Sequence, residues 1–144
     1  MSSNMSLVSE DIFTTFKALE IEFANQLKSH VLLKNHTSWY VGGEALWFYQ
    51  PSNISELKKF LPLIPKSLPL FWLGLGSNIL VRDSGIKACV ISTRKGLVDI
   101  SLGNTGVRVE AGVSCAKFAR YLARLGYQNQ EFLAGIPGTI GGAL

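Results

Sequence analysis

Charge is scarce in this sequence: 17% of its 144 residues are Asp, Glu, Lys or Arg, where a free-standing globular domain carries about 25%. Part of its apolar surface therefore expects a partner domain. Cysteine is nearly absent, and Cys89 and Cys115 stand singly, with no CxxC pair and no histidine at ligand spacing. That argues against a disulfide framework and against a metal site, so both are read as core thiols. The N-terminus MSSNMSLVSEDIF lacks the basic start, apolar stretch and cleavage site of a secretory signal. No apolar run approaches the roughly 18 residues of a membrane span. A soluble, cytoplasmic protein with no membrane partner is expected, and the N-x-Ser/Thr triplets at Asn4, Asn35 and Asn53 then have no route to glycosylation. The net charge of +4 comes from scattered Lys and Arg with no aromatic-interleaved cluster. This points away from nucleic acid and leaves a mild attraction for anions.

What is present suits one domain, since a chain near this length buries roughly 70% of its unfolded surface. Ile12, Phe13, Phe16, Leu19 and Phe23 recur near a helical period and predict a helix over about 9–30. NHTSWYVGG reads as strand-like, and ALWFYQ continues it with β-favouring aromatics. Asn53 followed by Glu56 is a capping-box variant, and Leu57, Phe60, Leu61 and Ile64 form one helical stripe. Pro62 should end that helix near Leu61, because an interior proline costs about 3 kcal/mol.

LPLFWLG reads as a buried strand ending at Gly74, and ILVRD, ACVIST, LVDISLG and VRVEAG as four short strands between turns. In the last run Val107, Val109 and Ala111 alternate with Arg108 and Glu110, which predicts a sheet with one buried side. Ser114 caps a further helix with the stripe Cys115, Phe118, Ala119 and Leu122, ending near Gly126. The order of elements predicts an α+β domain of two small α/β lobes. Their expected extents are about 31–78 and 79–144.

Two glycine-rich loops stand outside these elements. GLGSNIL offers backbone N–H groups, the Ser77 hydroxyl and the Asn78 amide around Gly74 and Gly76, a donor set suited to a phosphate or pyrophosphate. A plain glycine turn between strands explains the same letters. The third glycine and following helix of the dinucleotide fingerprint are missing, which disfavours a Rossmann site. AGIPGTIGGAL sets Gly135, Gly138, Gly141 and Gly142 around Pro137 and Thr139. It gives a stiff, side-chain-poor surface for a flat ligand, or equally a helix N-terminus needing close packing. His30 and His36 have no acid or nucleophile partner recognisable from spacing, so no catalytic residue is assigned.

The loops occur in fixed order with HTSWYVGG, LFWLGLGSNILVRDSGIKACVIS, VRVEAGVSCAKFARYLARLG and EFLAGIPGTIGGAL. Together these blocks resemble the UDP-N-acetylenolpyruvoylglucosamine reductases, also called UDP-N-acetylmuramate dehydrogenases. The resemblance implies the N-terminal FAD-binding domain of the vanillyl-alcohol-oxidase (PCMH) type. In it Gly74, Leu75, Gly76, Ser77, Asn78 and Ile79 contact the FAD pyrophosphate region, and Ile136, Pro137, Gly138, Gly141 and Gly142 form the second FAD-contacting loop. It also implies NADPH as hydride donor and a UDP-sugar enolpyruvyl ether as substrate, on the route to peptidoglycan and thus cell-wall growth, shape and division. The family's arginine, serine and glutamate lie beyond Leu144, and no substrate-binding domain is present. The chain alone is therefore expected to bind flavin without turnover, a truncated, non-catalytic flavin-binding fragment being the alternative. Tyr40 and Glu44 depart from the family, where a basic residue and proline are common. Oligomeric state is left open.

Overall fold

Glu44–Tyr49 carries large apolar residues on both sides of its pleat, so the segment can lie only in the interior. In the computed structural model, which describes residues 2–144, this is the second strand, β2, of a four-stranded sheet. Leu27–Leu32 (β1) pairs with it antiparallel, Leu27 opposite Tyr49. Ile86–Ser92 (β4) pairs with it in parallel, Phe48 opposite Val90, and Leu70–Leu73 (β3) closes the order β1-β2-β4-β3.

Trp47 and Tyr49 point to one face, where Phe16, Leu19, Phe23, Leu57, Phe60 and Ile91 bury them. Tyr49 stacks on Phe60 with centroids 3.6 Å apart, and Phe23 meets both rings edge-on. Phe48 points the other way, into a smaller cluster with Leu33, Leu73, Val81 and Val90. Each of these large side chains contributes about 1.5–3 kcal/mol on leaving water. Burial pushes the Cys89 thiol up to about 12 and leaves it protonated and inert.

The first helix, Ser2–Glu22 (α1), packs Phe16 and Leu19 on the sheet. It stops well short of residue 30. Leu27 N–H bonds the Phe23 carbonyl, the chain turns, and Leu27–Leu32 is strand. Leu27 fits the helical stripe and the strand equally, so periodicity alone placed the boundary too late. Phe13, expected on the buried stripe, is 63% exposed. Ile54–Phe60 (α2) follows the sequence closely: Asn53 accepts from Glu56 N–H at 2.9 Å, and Pro62 begins a 3-10 turn at Leu61–Leu63.

Two strand expectations fail, and a third fails only in its burial. NHTSWYVGG begins inside the 3-10 turn Leu33–His36 and continues as irregular chain. ILVRD is also irregular, although Val81 and Ile79 still reach the smaller cluster. LPLFWLG does form a strand but is not buried along its length, because β3 lies at the sheet's edge, where Leu70, Phe71 and Trp72 are exposed while Leu68 before it and Leu73 at its end are covered. Strand β4, expected in the second lobe, belongs to the first sheet.

The remaining elements are a hairpin of Ile100–Gly103 (β5) and Gly106–Val109 (β6), the helix Cys115–Arg124 (α3) and the short helix Ile140–Ala143 (α4). Ser114 caps α3 by accepting from Lys117 N–H. The alternation of VRVEAG breaks at Glu110. That residue is buried, accepts from the Asp99 N–H at 3.1 Å and lies 3.6 Å from Arg108.

Phe60→Ala should lower the unfolding free energy by about 3–5 kcal/mol, since it empties the stack on Tyr49. Phe13→Ala should change it by less than about 0.5 kcal/mol. Urea titration followed by tryptophan fluorescence measures both.

Candidate functional site

Strand β3 delivers the chain to its end at Leu73, and the parallel pairing with β4 fixes where Gly74 begins the first loop. The second loop is fixed from below. Cys115 N–H bonds the Gly138 carbonyl at 3.0 Å, Ile140 N–H bonds Val113 at 2.8 Å, and Gly141 N–H bonds Ala111 at 3.0 Å. These bonds lay Ile136–Gly141 alongside the segment that leads into α3.

The loops touch. The Ser77 hydroxyl donates to the Pro137 carbonyl, and a methyl group added to Gly138 would lie 3.9 Å from Ser77 Oγ. Residues far apart in sequence thus meet, Ser77 with Pro137 and Gly138, and Gly74 with Thr139. Leu75 and Ser77 are half-buried and Asn78 is exposed. Ile79 turns its side chain into the smaller core cluster, leaving only its backbone to the junction. Ile136 is half-buried, and Pro137 and Gly142 are exposed.

The glycines serve the chain's own packing more than the sequence suggests. Gly76 has φ +74°, and a β-carbon there would meet the His36 carbonyl oxygen at 2.1 Å. It lets the loop pack against the His36–Gly43 segment, where Ser38 N–H bonds the Gly76 carbonyl at 2.9 Å. Its missing side chain thus serves packing against protein backbone. Gly74 admits Thr139, whose Oγ1 would lie 2.4 Å from an added β-carbon. Gly141 likewise seats on Ala111. Gly138 remains the position with open space toward Ser77.

What the junction offers chemically is donors. Among the described residues, the backbone N–H groups of Leu75, Gly76, Ser77, Asn78 and Ile79 bond no protein acceptor. The Asn78 amide is exposed beside them. A run of free N–H groups around a positive-φ glycine is a nest for an oxyanion. The Pro137 carbonyl is engaged by the Ser77 hydroxyl. These features fit a phosphate or diphosphate group.

His36, at the edge of this region, packs on Phe48 with centroids 4.4 Å apart and the rings tilted by 36°. Burial lowers its pKa, and Arg94, Lys95 and Lys28 lower it further, so the ring is neutral near pH 7. Those cations also give the neighbourhood a positive potential. His30 bonds Glu44 at 3.0 Å, a partner that spacing did not reveal, but both side chains are well exposed and the pair is an ordinary surface contact. Thr37 and Thr139, both buried, were missed by sequence reasoning. The one signal available for Thr139 was its place between Pro137-Gly138 and Gly141-Gly142.

A cavity of about 630 Å3 between α1 and the sheet is lined by Phe13, Phe16, Trp47 and Leu68, away from the loops. A second, of about 400 Å3, is bounded by Trp72, Thr93, Arg108, Glu110 and Ala111 and lies beside them.

Residues 45–144 match the FAD binding domain family. The UDP-N-acetylenolpyruvoylglucosamine reductase of Nitrosococcus oceani is 54% identical over 119 residues, which cover 82% of this chain and 40% of that protein. Its counterpart in Methylococcus capsulatus is 51% identical over 116 residues, covering 80% and 38%. The crystal structure of the reductase from Thermus caldophilus matches with a TM-score of 0.64 at 33% identity, over 81% of this chain and 41% of that one. The chain spans about two fifths of the length of the relatives it matches.

Gly76→Ala should lower the unfolding free energy by more than about 1 kcal/mol, the left-handed conformation alone costing about 1–2 kcal/mol for a residue with a β-carbon. Gly135→Ala, with nothing within 4 Å of the added carbon, should be near neutral. Thermal melting of the two variants beside the parent decides the point.

Proposed function

The chain belongs to the FAD binding domain family, and on that premise we propose that it is the flavin-holding part of a UDP-N-acetylenolpyruvoylglucosamine reductase, the enzyme for which its relatives are named. The observation that carries this reading is the junction itself: two glycine-rich loops meet at Ser77 and Pro137, with a row of free N–H donors on one side.

In this reading Gly74, Leu75, Gly76, Ser77, Asn78 and Ile79 hold the FAD diphosphate, mainly through backbone N–H groups. Ile136, Pro137, Gly138, Gly141 and Gly142 form the opposing wall. That wall has little side-chain bulk, so a flat ring system can approach its backbone. Donors fixed by strand β3 on one side and by the bonds to Ala111, Val113 and Cys115 on the other need little rearrangement when the anion arrives. Such preorganisation lowers the entropy loss on binding. The positive potential from Lys28, Arg94 and Lys95 favours the approach of a dianionic cofactor.

Bound FAD supplies the hydride transfer, from NADPH to the enolpyruvyl ether of the UDP-sugar. The chain orients the cofactor and neutralises its diphosphate. No residue between Met1 and Leu144 is given a proton to move. The activity places the whole enzyme in peptidoglycan synthesis in the cytoplasm, and among the described residues no helix is long and apolar enough to cross a membrane.

FAD titrated into the purified chain should lose fluorescence in a saturable way at micromolar concentration. At about 100 times its dissociation constant it should add roughly 2.7 kcal/mol to stability, read as a rise in melting temperature. If micromolar FAD is neither quenched nor stabilising, the reading is overturned.

A further inference from the structure

The cavity between α1 and the sheet takes no part in the flavin reading. Its volume of about 630 Å3 lies within the roughly 300–1,000 Å3 of small-molecule sites. Its floor is made by a break in the sheet. The pairing of β1 with β2 runs from Leu27 opposite Tyr49 to Leu32 opposite Glu44, and skips only His30 and Leu46. His30 has φ +53°, uncommon for a residue with a β-carbon. On the other side of β2, Ala45 pairs with Ile86 and Trp47 with Cys89, so Leu46 alone stands opposite Lys87 and Ala88. That bulge breaks the alternation of β2. Ala45 and Phe48 face the smaller cluster, while the neighbours Leu46 and Trp47 both turn toward the α1 side. Bulges bend a strand and re-aim its side chains, and here His30, Leu46, Trp47 and Lys87 all line the cavity.

The helix supplies the opposite wall. Phe13 and Phe16 both line the cavity, yet Phe16 is buried on Trp47, ring centroids 5.4 Å apart, and Phe13 is left exposed. A large ring left bare beside an apolar hollow is the kind of surface that a ligand covers. The polar part of the lining is cationic. Lys17, His30 and Lys87 contribute exposed side chains, and no Asp or Glu is among the described residues that line the cavity. Glu20 engages Lys17 at 3.2 Å, and Glu44 engages His30 at 3.0 Å. Lys87 forms no ion pair among the described residues. The cavity therefore joins apolar walls to one cation that lacks a counter-charge.

We infer that this cavity is a second ligand site, for an amphipathic carboxylate. The apolar body of the ligand lies among Phe13, Phe16, Leu46 and Trp47, and its carboxylate pairs with Lys87. The sign of the lining charge selects an anion, and the apolar walls select an alkyl chain or ring over a phosphate. The inference does not depend on the flavin reading, because none of the residues lining this cavity belongs to the two glycine-rich loops.

The probe is octanoate, with 1-octanol as its neutral and octylammonium as its cationic counterpart, each titrated into the full chain by isothermal titration calorimetry. Octanoate should bind saturably with Kd below about 1 mM, and about tenfold tighter than octylammonium. Lys87→Glu should weaken octanoate by about tenfold and 1-octanol by less than about twofold. Phe13→Ala, with melting unchanged, should weaken both by about fivefold or more. Should Lys87→Glu not fold, Lys87→Gln carries the same comparison with a loss of about threefold. Absence of saturable binding, equal Kd for the three probes, or parent-like Kd in Phe13→Ala overturns the inference. So does octanoate that competes with FAD, which would place it at the glycine-rich loops. A chain that sediments as a dimer and becomes a monomer in Phe13→Ala also overturns it, giving the cavity to a second copy. A parent chain that binds octanoate and no FAD upholds this inference and overturns the flavin reading alone.

Discussion

The Ser77 hydroxyl reaches across 60 positions of sequence to the Pro137 carbonyl, and that contact is possible only because the backbones on both sides come unusually close. Gly74 lies against Thr139, Gly76 against His36 and Gly141 against Ala111, each at a distance that a β-carbon would forbid. Close backbone approach concentrates N–H groups in a small volume and leaves few side-chain acceptors to satisfy them. The run of N–H groups without a protein acceptor at Leu75–Ile79 follows from how the two loops pack.

This shifts what the glycines mean. At Gly74 and Gly76 the absence of a side chain serves protein-protein packing first, and ligand binding follows from the position of the loop that the packing fixes. The same argument accounts for the two buried threonines. Thr37 is satisfied by donating to the Val41 carbonyl at 3.1 Å, so it secures the segment on which Gly76 rests. Thr139, in an otherwise similar setting, has no such acceptor.

Local signals were legible in the sequence wherever a short-range rule governs. Asn53, Pro62 and Ser114 marked helix ends correctly because a cap or a missing N–H acts within a few residues. The glycine-rich blocks were legible as loops outside the regular elements for the same reason. Tertiary decisions were not. Whether Leu27 ends a helix or starts a strand depends on Tyr49 opposite it, and whether Phe71 and Trp72 are covered depends on β3 taking the edge of the sheet. Val81 is buried without being in a strand, so apolar content misled. The direction of each glycine's missing side chain, the partner of Glu110 and the isolation of Thr139 Oγ1 are likewise properties of the assembled fold.

Hydrogen exchange of the chain with and without FAD, resolved by mass spectrometry, tests the central claim most directly. The account predicts that FAD slows exchange at Leu75–Ile79 and at Gly138–Gly142 together, and that ADP reproduces the effect, because the diphosphate is the shared element. Protection confined to one loop, or appearing only beside the cavity between α1 and the sheet, would contradict it.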